Sequence, residues 1–557
     1  MKIQLQAPHQ AEKALLPHHW RTGLLWLTTV VVIILSRFGA AAQQPYRPET
    51  GIGLAAFWSF AIYNDPSSGT NNIGSNVGGA VTFGALCLGP QGFGSHFAKA
   101  SPKISSSPDV LYGTASLGGS SGQGTVFSVN SDGTGYTVLH NFTGGADGAF
   151  PTAGLILSGN TLYGTTVNGG NSDNGTVFAL NTNKTGFTVL HNFTARNQSP
   201  YTNSDGGNPH SALILSGNTL YGTTSDGGTG NAGTVFALNL ANTNFTVLHH
   251  FATPAYDPNF ISTNSDGSDS VARLILSGQT LFGTTSQGGL GGVGTVFAVG
   301  TNGSNFTVLH GFPAPDPIYQ TNSDGTSPAA GLIVSGGTLY GAAYQGGSAN
   351  AGTVFSMNTN GANFTNLYSF TGGSDGFEPA GELVLSGNTL LGTTRTGGNA
   401  SRGNGTVFAL NTDGSNFGVV YTFTAGNYDP NLPPVGNNLT NSDGAVPQAG
   451  LILSGDILYG TTSAGGTGGN GTLFSLTPEQ LAITGIQLAK TNLVINAADG
   501  ISNGTYSVLM NTNPASPLIQ WTSIATTVLT SNGNFTLTAT NAVDPAAKQR
   551  FYILQKQ

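Results

Sequence analysis

The sequence predicts an all-β fold, a seven-bladed β-propeller with a small C-terminal β-sandwich-like module. Three observations lead there. First, an "LYG" signature recurs with its aromatic at Tyr112, Tyr163, Tyr221, Phe282 and Tyr340, is replaced by Leu391, and returns at Tyr459. Spacings of 51 to 68 residues mark a repeat architecture. Second, each copy sits among four short apolar runs bounded by Gly, Asn and Asp, the pattern of strands joined by tight turns. Third, runs such as "LILS" and "TVLH" hardly alternate between apolar and polar residues, which implies burial on both faces. A four-stranded sheet covered on both sides by copies of itself is a propeller blade, and a closed ring of blades leaves few bare edges.

The elements follow in chain order. Residues 1–42 read as a signal peptide or N-terminal membrane anchor. Lys2, Lys13 and Arg21 precede the apolar run "GLLWLTTVVVIIL", and a small-residue tail follows. That run is shorter than the roughly 20 residues a bilayer span needs, and Ala40 with Ala42 suits cleavage after Ala42. Either reading sends the folded part out of the cytoplasm, to the periplasm, the outer surface or the medium. Residues 43–105 form an N-terminal segment that could contribute strands to ring closure.

Residues 106–476 carry the repeats. In the unit around Tyr221 the runs are "ALILSG", "TLYGTT", "GTVFALN" and "FTVLHHF". The second and third runs occur seven times, the first and fourth six times. A seventh blade therefore needs two more strands. "KISSSPDV" before Leu111 could supply a first run, and either "AAFWSFAIY" (Ala55–Tyr63) or "LAITGIQL" a fourth; failing that, the ring has six blades. Residues 480–557 have strand signals at short intervals and no kin in the array, as a separate β module would.

The residues "LYGTT…GG…GTVFALN…FTVLHNF…DG…P…AGLILSG" resemble the GloVer tandem repeat of secreted bacterial proteins. The layout is also similar to a kelch repeat. Both resemblances imply a propeller, and neither implies a particular activity.

Composition narrows the function. Charged residues are 7% of the chain, the net charge is -8, and there is no basic stripe, so no nucleic-acid partner is expected. A single cysteine, Cys87, allows no internal disulfide and reads as a small buried hydrophobe. A four-strand meander sends the links after its second and fourth runs to one end. The longest and most variable links lie there, and that end is the expected ligand face. Its candidates are Tyr201, Tyr256, Tyr319, Tyr344 and Tyr428 for stacking on sugars, with Asp257, Asp266, Asp269 and Asp429 as acids.

The recurring Asp-Gly, often "TNSDG", reads as a capped turn. Its oxygens would suit calcium, but each loop has too few carboxylates for a cage, so no cofactor is expected. His140, His191, His249 and His310 fall once per repeat, too far apart around a ring to share a metal. Glu378 and Glu382 make a poor glycosidase pair. The reading is an exported non-catalytic repeat protein that binds an extracellular glycan or another envelope protein, or builds the envelope. The alternative is a propeller enzyme on polysaccharide using Asp257, Asp266 and Asp429.

Overall fold

The computed structural model describes residues 109–256, 262–398, 403–428, 439–454 and 457–478, with shorter segments at 2–5, 52–59, 87–88, 482–489, 492–500, 505–511, 522–528, 533–542 and 550–556. Among these every regular element is a strand, and no helix is long and apolar enough to cross a membrane. The chain divides into two compact units, 54–477 and 1–53 together with 478–557.

The larger unit is a seven-bladed propeller. In blade 3 the strands Ile214–Ser216, Thr219–Thr224, Thr234–Asn239 and Phe245–His250 pair antiparallel in chain order. Blades 2, 4 and 5 repeat that order, and blade 6 adds a short strand, Phe377–Pro379, beside its second.

Blades 1 and 7 are the ones left incomplete by the repeat count. Blade 7 takes Ile52–Ser59 as its fourth strand, next to Thr472–Pro478. That segment overlaps the first of the two stretches expected to close the ring. The other, "LAITGIQL", pairs with Asn492–Gly500 outside the propeller. Blade 1 takes its first strand from Cys87–Leu88, with Cys87 opposite Tyr112 as Ile214 is opposite Tyr221. The expectation that "KISSSPDV" held that place is overturned. Its last residue, Val110, already opens the second strand opposite Asn130, so no turn separates the two.

Closure is visible in the packing. The large apolar cores each straddle two blades. Val177 and Phe193 of blade 2 lie with Leu213, Leu220 and Phe236 of blade 3, and Tyr221, Val235 and Phe251 of blade 3 lie with Leu274, Leu281 and Phe297 of blade 4. The same holds across the seam, where Leu111, Phe127 and Val129 of blade 1 pack with Tyr459 and Leu473 of blade 7. Second and third strands are buried along most of their length, as expected of sheets covered on both faces.

The first and fourth strands are only half-buried, and the fourth breaks alternation for a reason the pattern alone did not reveal. Its register slips at Leu248, so that Val247 faces Phe236 and His249 faces Val235. This bulge turns the consecutive Leu248 and His249 toward the same neighbour: Leu248 joins the core shared with blade 4, and His249 stacks on Phe306.

The glycine of "LYG" has a steric cause. A Cβ on Gly222 would lie 2.6 Å from the Phe236 ring and 2.8 Å from Leu213 Cδ2. The same Phe and Leu stand against Gly164, Gly283, Gly341, Gly392 and Gly460. The repeat keeps glycine so that the third-strand phenylalanine can lie flat across the second strand.

The smaller unit has a three-stranded sheet (Ala482–Ala489, Asn492–Gly500, Gly533–Ala539) and a four-stranded one (Lys2–Leu5, Arg550–Lys556, Thr505–Asn511, Thr522–Val528). Leu493, Ile495 and Leu537 of the first share one core with Tyr506 and Val508 of the second, a sandwich arrangement.

Two outcomes follow for the propeller. Gly222→Ala forces the Phe236 ring aside and should cost about 1–3 kcal/mol in denaturant unfolding. Gly311→Ala, with no atom within 4 Å of the added methyl, should stay within about 0.5 kcal/mol. Deleting Ile52–Ser59 bares the edge of Thr472–Pro478 and should lower the melting temperature and promote association in gel filtration.

Candidate functional site at the axial mouth

The links after the second and fourth strands do emerge at one end, where isolated bridges tie them together: Gly207 to Asp226, Ser268 to Gln287, Thr326 to Gln345. The "TNSDG" motif is the fastening. Asn203 Oδ1 accepts from the N–H groups of Gly206 and Gly228, and its Nδ2 donates to the Thr194 and Gly206 carbonyls. Asp205 accepts from the Thr194 N–H and hydroxyl and lies 3.0 Å from His191 Nε2. Gly206 has φ of +96°, and a Cβ there would meet Thr224 Oγ1 at 2.2 Å. These oxygens are taken by donors of their own chain, as a capped turn requires. Among the described residues no group of three or more His, Cys, Asp or Glu side chains is placed to hold a metal ion.

The histidines pack from blade to blade. His140, His191, His249 and His310 lie 2.8 to 3.2 Å from Asp147, Asp205, Asp266 and Asp324. Each ring lies flat on the next blade's phenylalanine: Phe187, Phe245, Phe306 and Phe364, with centroids 3.5 to 3.9 Å apart. Tyr368 does the same on Phe417 and donates to Asp375. Burial pushes the His140 and His310 pKa values down, against the pull of their aspartates.

Toward the axis the first strands converge. Arg273, just before the first strand of blade 4, holds Glu382 of blade 6 through Nε (3.0 Å) and Nη2. A Cβ on Gly331 of blade 5 would lie 3.1 Å from the Glu382 carboxyl, and one on Gly450 of blade 7 would lie 3.0 Å from its Cβ. Four blades therefore meet around one ion pair. Threonines fix the inner strands: Thr114, Thr165 and Thr223 donate to the carbonyls of Ala153, Ser211 and Ser270 in the following blade.

Above that pair lies a ring of strained residues. Phe150, Asn208, Asp269, Ser327, Glu378 and Val446 occupy one repeat position, all with φ between +53° and +61°. Each N–H bonds a carbonyl of the preceding blade, as Glu378 does to Ala351 and Asp269 to Ala232. A left-handed non-glycine costs about 1–3 kcal/mol and persists where surroundings enforce it. Here the backbone is constant while the side chain changes from Phe to Glu.

The described arginine ion pairs of the propeller gather toward this mouth. Arg196 donates to Asn174 and Asn208 and lies 3.6 Å from Asp226. His210 sits in the field of Asp269 and Asp226. Burial lowers its pKa, and burial raises that of Asp269, which accepts a 2.5 Å bond from Ser286. Arg395 Nη1 donates to Tyr344 OH (2.6 Å) and Glu378 (3.0 Å). Burial, then Glu378, pushes the Tyr344 phenol up to about 12, so it stays protonated.

The expected site residues are thus divided. Asp269 and Tyr344 belong to the mouth. Tyr201 and Tyr319 are exposed on outer links, 59% and 73%. Asp266 is buried in its turn, bonded to His249 and the Ala252 N–H. The backbones of Tyr256 and Tyr428 pair with Ser262 and Leu439. Asp257 and Asp429 lie outside the described residues. Missed altogether were Arg196, His210, Asp226, Arg273 and Arg395, while Glu378 and Glu382 were weighed as a catalytic pair. Instead each glutamate is held by its own arginine. One signal was available: Arg273 and Glu382 interrupt one repeat position that is otherwise Gly or Ala, and Arg395 interrupts one that is otherwise Ser, Val or Tyr.

Residues 90–260, 199–322 and 257–437 match the Gloeobacter/Verrucomicrobia repeat. No curated protein matches the chain. Solved structures with a similar course include an oligogalacturonate lyase in complex with manganese (11% identity, 72% of this chain and 99% of that one, TM-score 0.40). Others are TolB from Acinetobacter baumannii (11%, 58% and 78%, TM-score 0.32) and a nidogen/laminin complex (14%, 46% and 74%, TM-score 0.27).

The buried imidazoles carry a pH signature. His140 and His310 fall below their ordinary 6.5 on folding, so the unfolded chain takes up protons first as pH drops. Their contribution is whole above that value and is lost below it. The melting temperature should fall from pH 7 to 5, and less steeply in the His140→Tyr/His310→Tyr variant, which copies the Tyr368 arrangement.

Proposed function

The chain belongs to the Gloeobacter/Verrucomicrobia repeat family, and from that premise we propose that it is an exported, non-catalytic propeller that binds an extracellular glycan on its loop face. One observation carries this reading. Tyr201, Leu290, Ile318 and Tyr319, the exposed large apolar side chains described in the propeller, all stand on links at the same end. Leu290 follows the second strand of blade 4, and Ile318 and Tyr319 follow its fourth. Apolar side chains held out together on an otherwise polar end mark a contact surface. Tyrosines beside amide-rich loops suit sugar rings.

The aliphatic pair Leu290 and Ile318, 89% and 79% exposed, favours a second reading, an envelope protein as partner. Catalysis is disfavoured because the described glutamates of the mouth are neutralised by arginine, and Asp266 is committed to its turn.

A glycan array probed with the exported form, with and without calcium, tests the reading. Binding should appear and should weaken about tenfold or more in Tyr201→Ser/Tyr319→Ser at unchanged melting temperature. Binding of an envelope protein alone, lost in Leu290→Ser/Ile318→Ser, would move the conclusion to the second reading, and sugar products released from the array would overturn both. N-terminal sequencing of the exported form should begin at Gln43.

A further inference from the structure

Blade 4 carries apolar side chains on both of its loop-face links. The residue after the glycine pair is Ser120, Asn171, Thr229, Ser348, Asn399 or Thr467 in the other copies of the repeat, and Leu290 in blade 4. The link after the fourth strand of the same blade reads "FPAPDPIYQT" and carries Ile318 and Tyr319. These three are the most exposed large apolar side chains of the described propeller, at 89%, 79% and 73%.

The two links are pressed together. A Cβ on Gly291, next to Leu290, would lie 2.1 Å from the Phe312 carbonyl oxygen and 2.7 Å from the Ala314 nitrogen. The second link is a rigid turn. Asp316 Oδ1 accepts from the N–H groups of Ile318 and Tyr319 at 2.9 and 2.8 Å. The Asp316 carbonyl takes the Gln320 N–H, and its own N–H bonds the Thr321 carbonyl. Asn322 Nδ2 donates to the Pro313 carbonyl and closes the base. Pro313, Pro315 and Pro317 fix φ along the climb. The bonds from the Tyr319 and Ile318 N–H groups hold the Asp316 carboxyl below the usual carboxylate range, so the cap stays formed in mild acid. Residues 316–320 are exposed throughout, and the turn stands clear of the blade.

We propose that this tip is a membrane-contact element, in which Leu290, Ile318 and Tyr319 enter the headgroup layer of an uncharged lipid surface. The inference goes beyond the glycan reading and does not rest on it. A convex tip with two aliphatic side chains needs only a fluid apolar layer, whereas a protein partner must offer a pocket cut to its shape. Tyrosine suits the boundary, with its ring among acyl chains and its hydroxyl in water. The turn is already ordered, so insertion costs little conformational entropy. Neither link carries lysine or arginine, and Asp316 is ionised just below the tip. The contact is therefore shallow, indifferent to salt and no stronger on anionic lipid. It holds weakly and reversibly, as a single acyl chain does.

Flotation of the exported form with phosphatidylcholine vesicles tests this. The protein should rise with the vesicles equally in low and high salt, and no better when phosphatidylserine is added. Leu290→Ser/Ile318→Ser should weaken partitioning about tenfold or more at unchanged melting temperature. Tyr319→Trp, read against the parent protein, should gain fluorescence that moves to shorter wavelength with vesicles and is quenched by brominated lipid, which keeps the test open if the serine variant misfolds. Asp316→Ala frees the turn and should partition less. Flotation that the serine pair leaves unchanged overturns the assignment, as does binding that needs phosphatidylserine and vanishes in salt. So does an envelope protein held through Leu290 and Ile318 while vesicles are ignored. Vesicle binding beside an empty glycan array sinks the glycan reading alone, and array binding that survives in the serine pair while flotation is lost supports two separate contacts.

Discussion

Blades 1 to 5 each lean on the next through a flat contact between an imidazole or phenol at the fourth strand and a phenylalanine of the following blade. Everything else in the propeller accommodates that contact. The aspartate of the Asp-Gly turn holds the ring in place, the bulge at Leu248 aims it, and the glycine of "LYG" lets another phenylalanine lie flat behind it. With one cysteine and 7% charged residues, the chain has no disulfide framework and few ion pairs to draw on. Stability comes from stacking apolar and aromatic surface in each interface, at the density that protein interiors reach.

That economy of charge makes the axial mouth conspicuous. Where the repeat elsewhere carries Gly or Ala, blades 4 and 6 carry Arg273 and Glu382, and these find one another around the axis. The strained ring of residues above them keeps the same backbone in every blade while its side chains differ. Uniform scaffold with varied decoration at the centre of a propeller is how a symmetric fold acquires an asymmetric surface.

Much of this was legible in the sequence. The spacing of the "LYG" signature determined the number of second and third strands, and the length of the links marked the elaborated end. The histidines were readable as packing groups because they recur at one repeat position. Two things were not legible. Blade 1's first strand is separated from its second by 21 residues, so "GALCLG" was not recognised as a counterpart of "ALILSG" despite the shared Ala-Leu-x-Leu. The pair Arg273 and Glu382 stands 109 residues apart, and only the curvature of the closed ring brings them together. Local pattern reports which strand a residue is on, and it is silent about which blade faces which across the axis.

The fourth strand of blade 7 is made before every other part of the propeller, while its partner Thr472–Pro478 is made after the rest of the blades. Blade 7 is therefore completed by a pairing between the two ends of the propeller sequence, and that pairing is what closes the ring. The ring has a clasp rather than a weld.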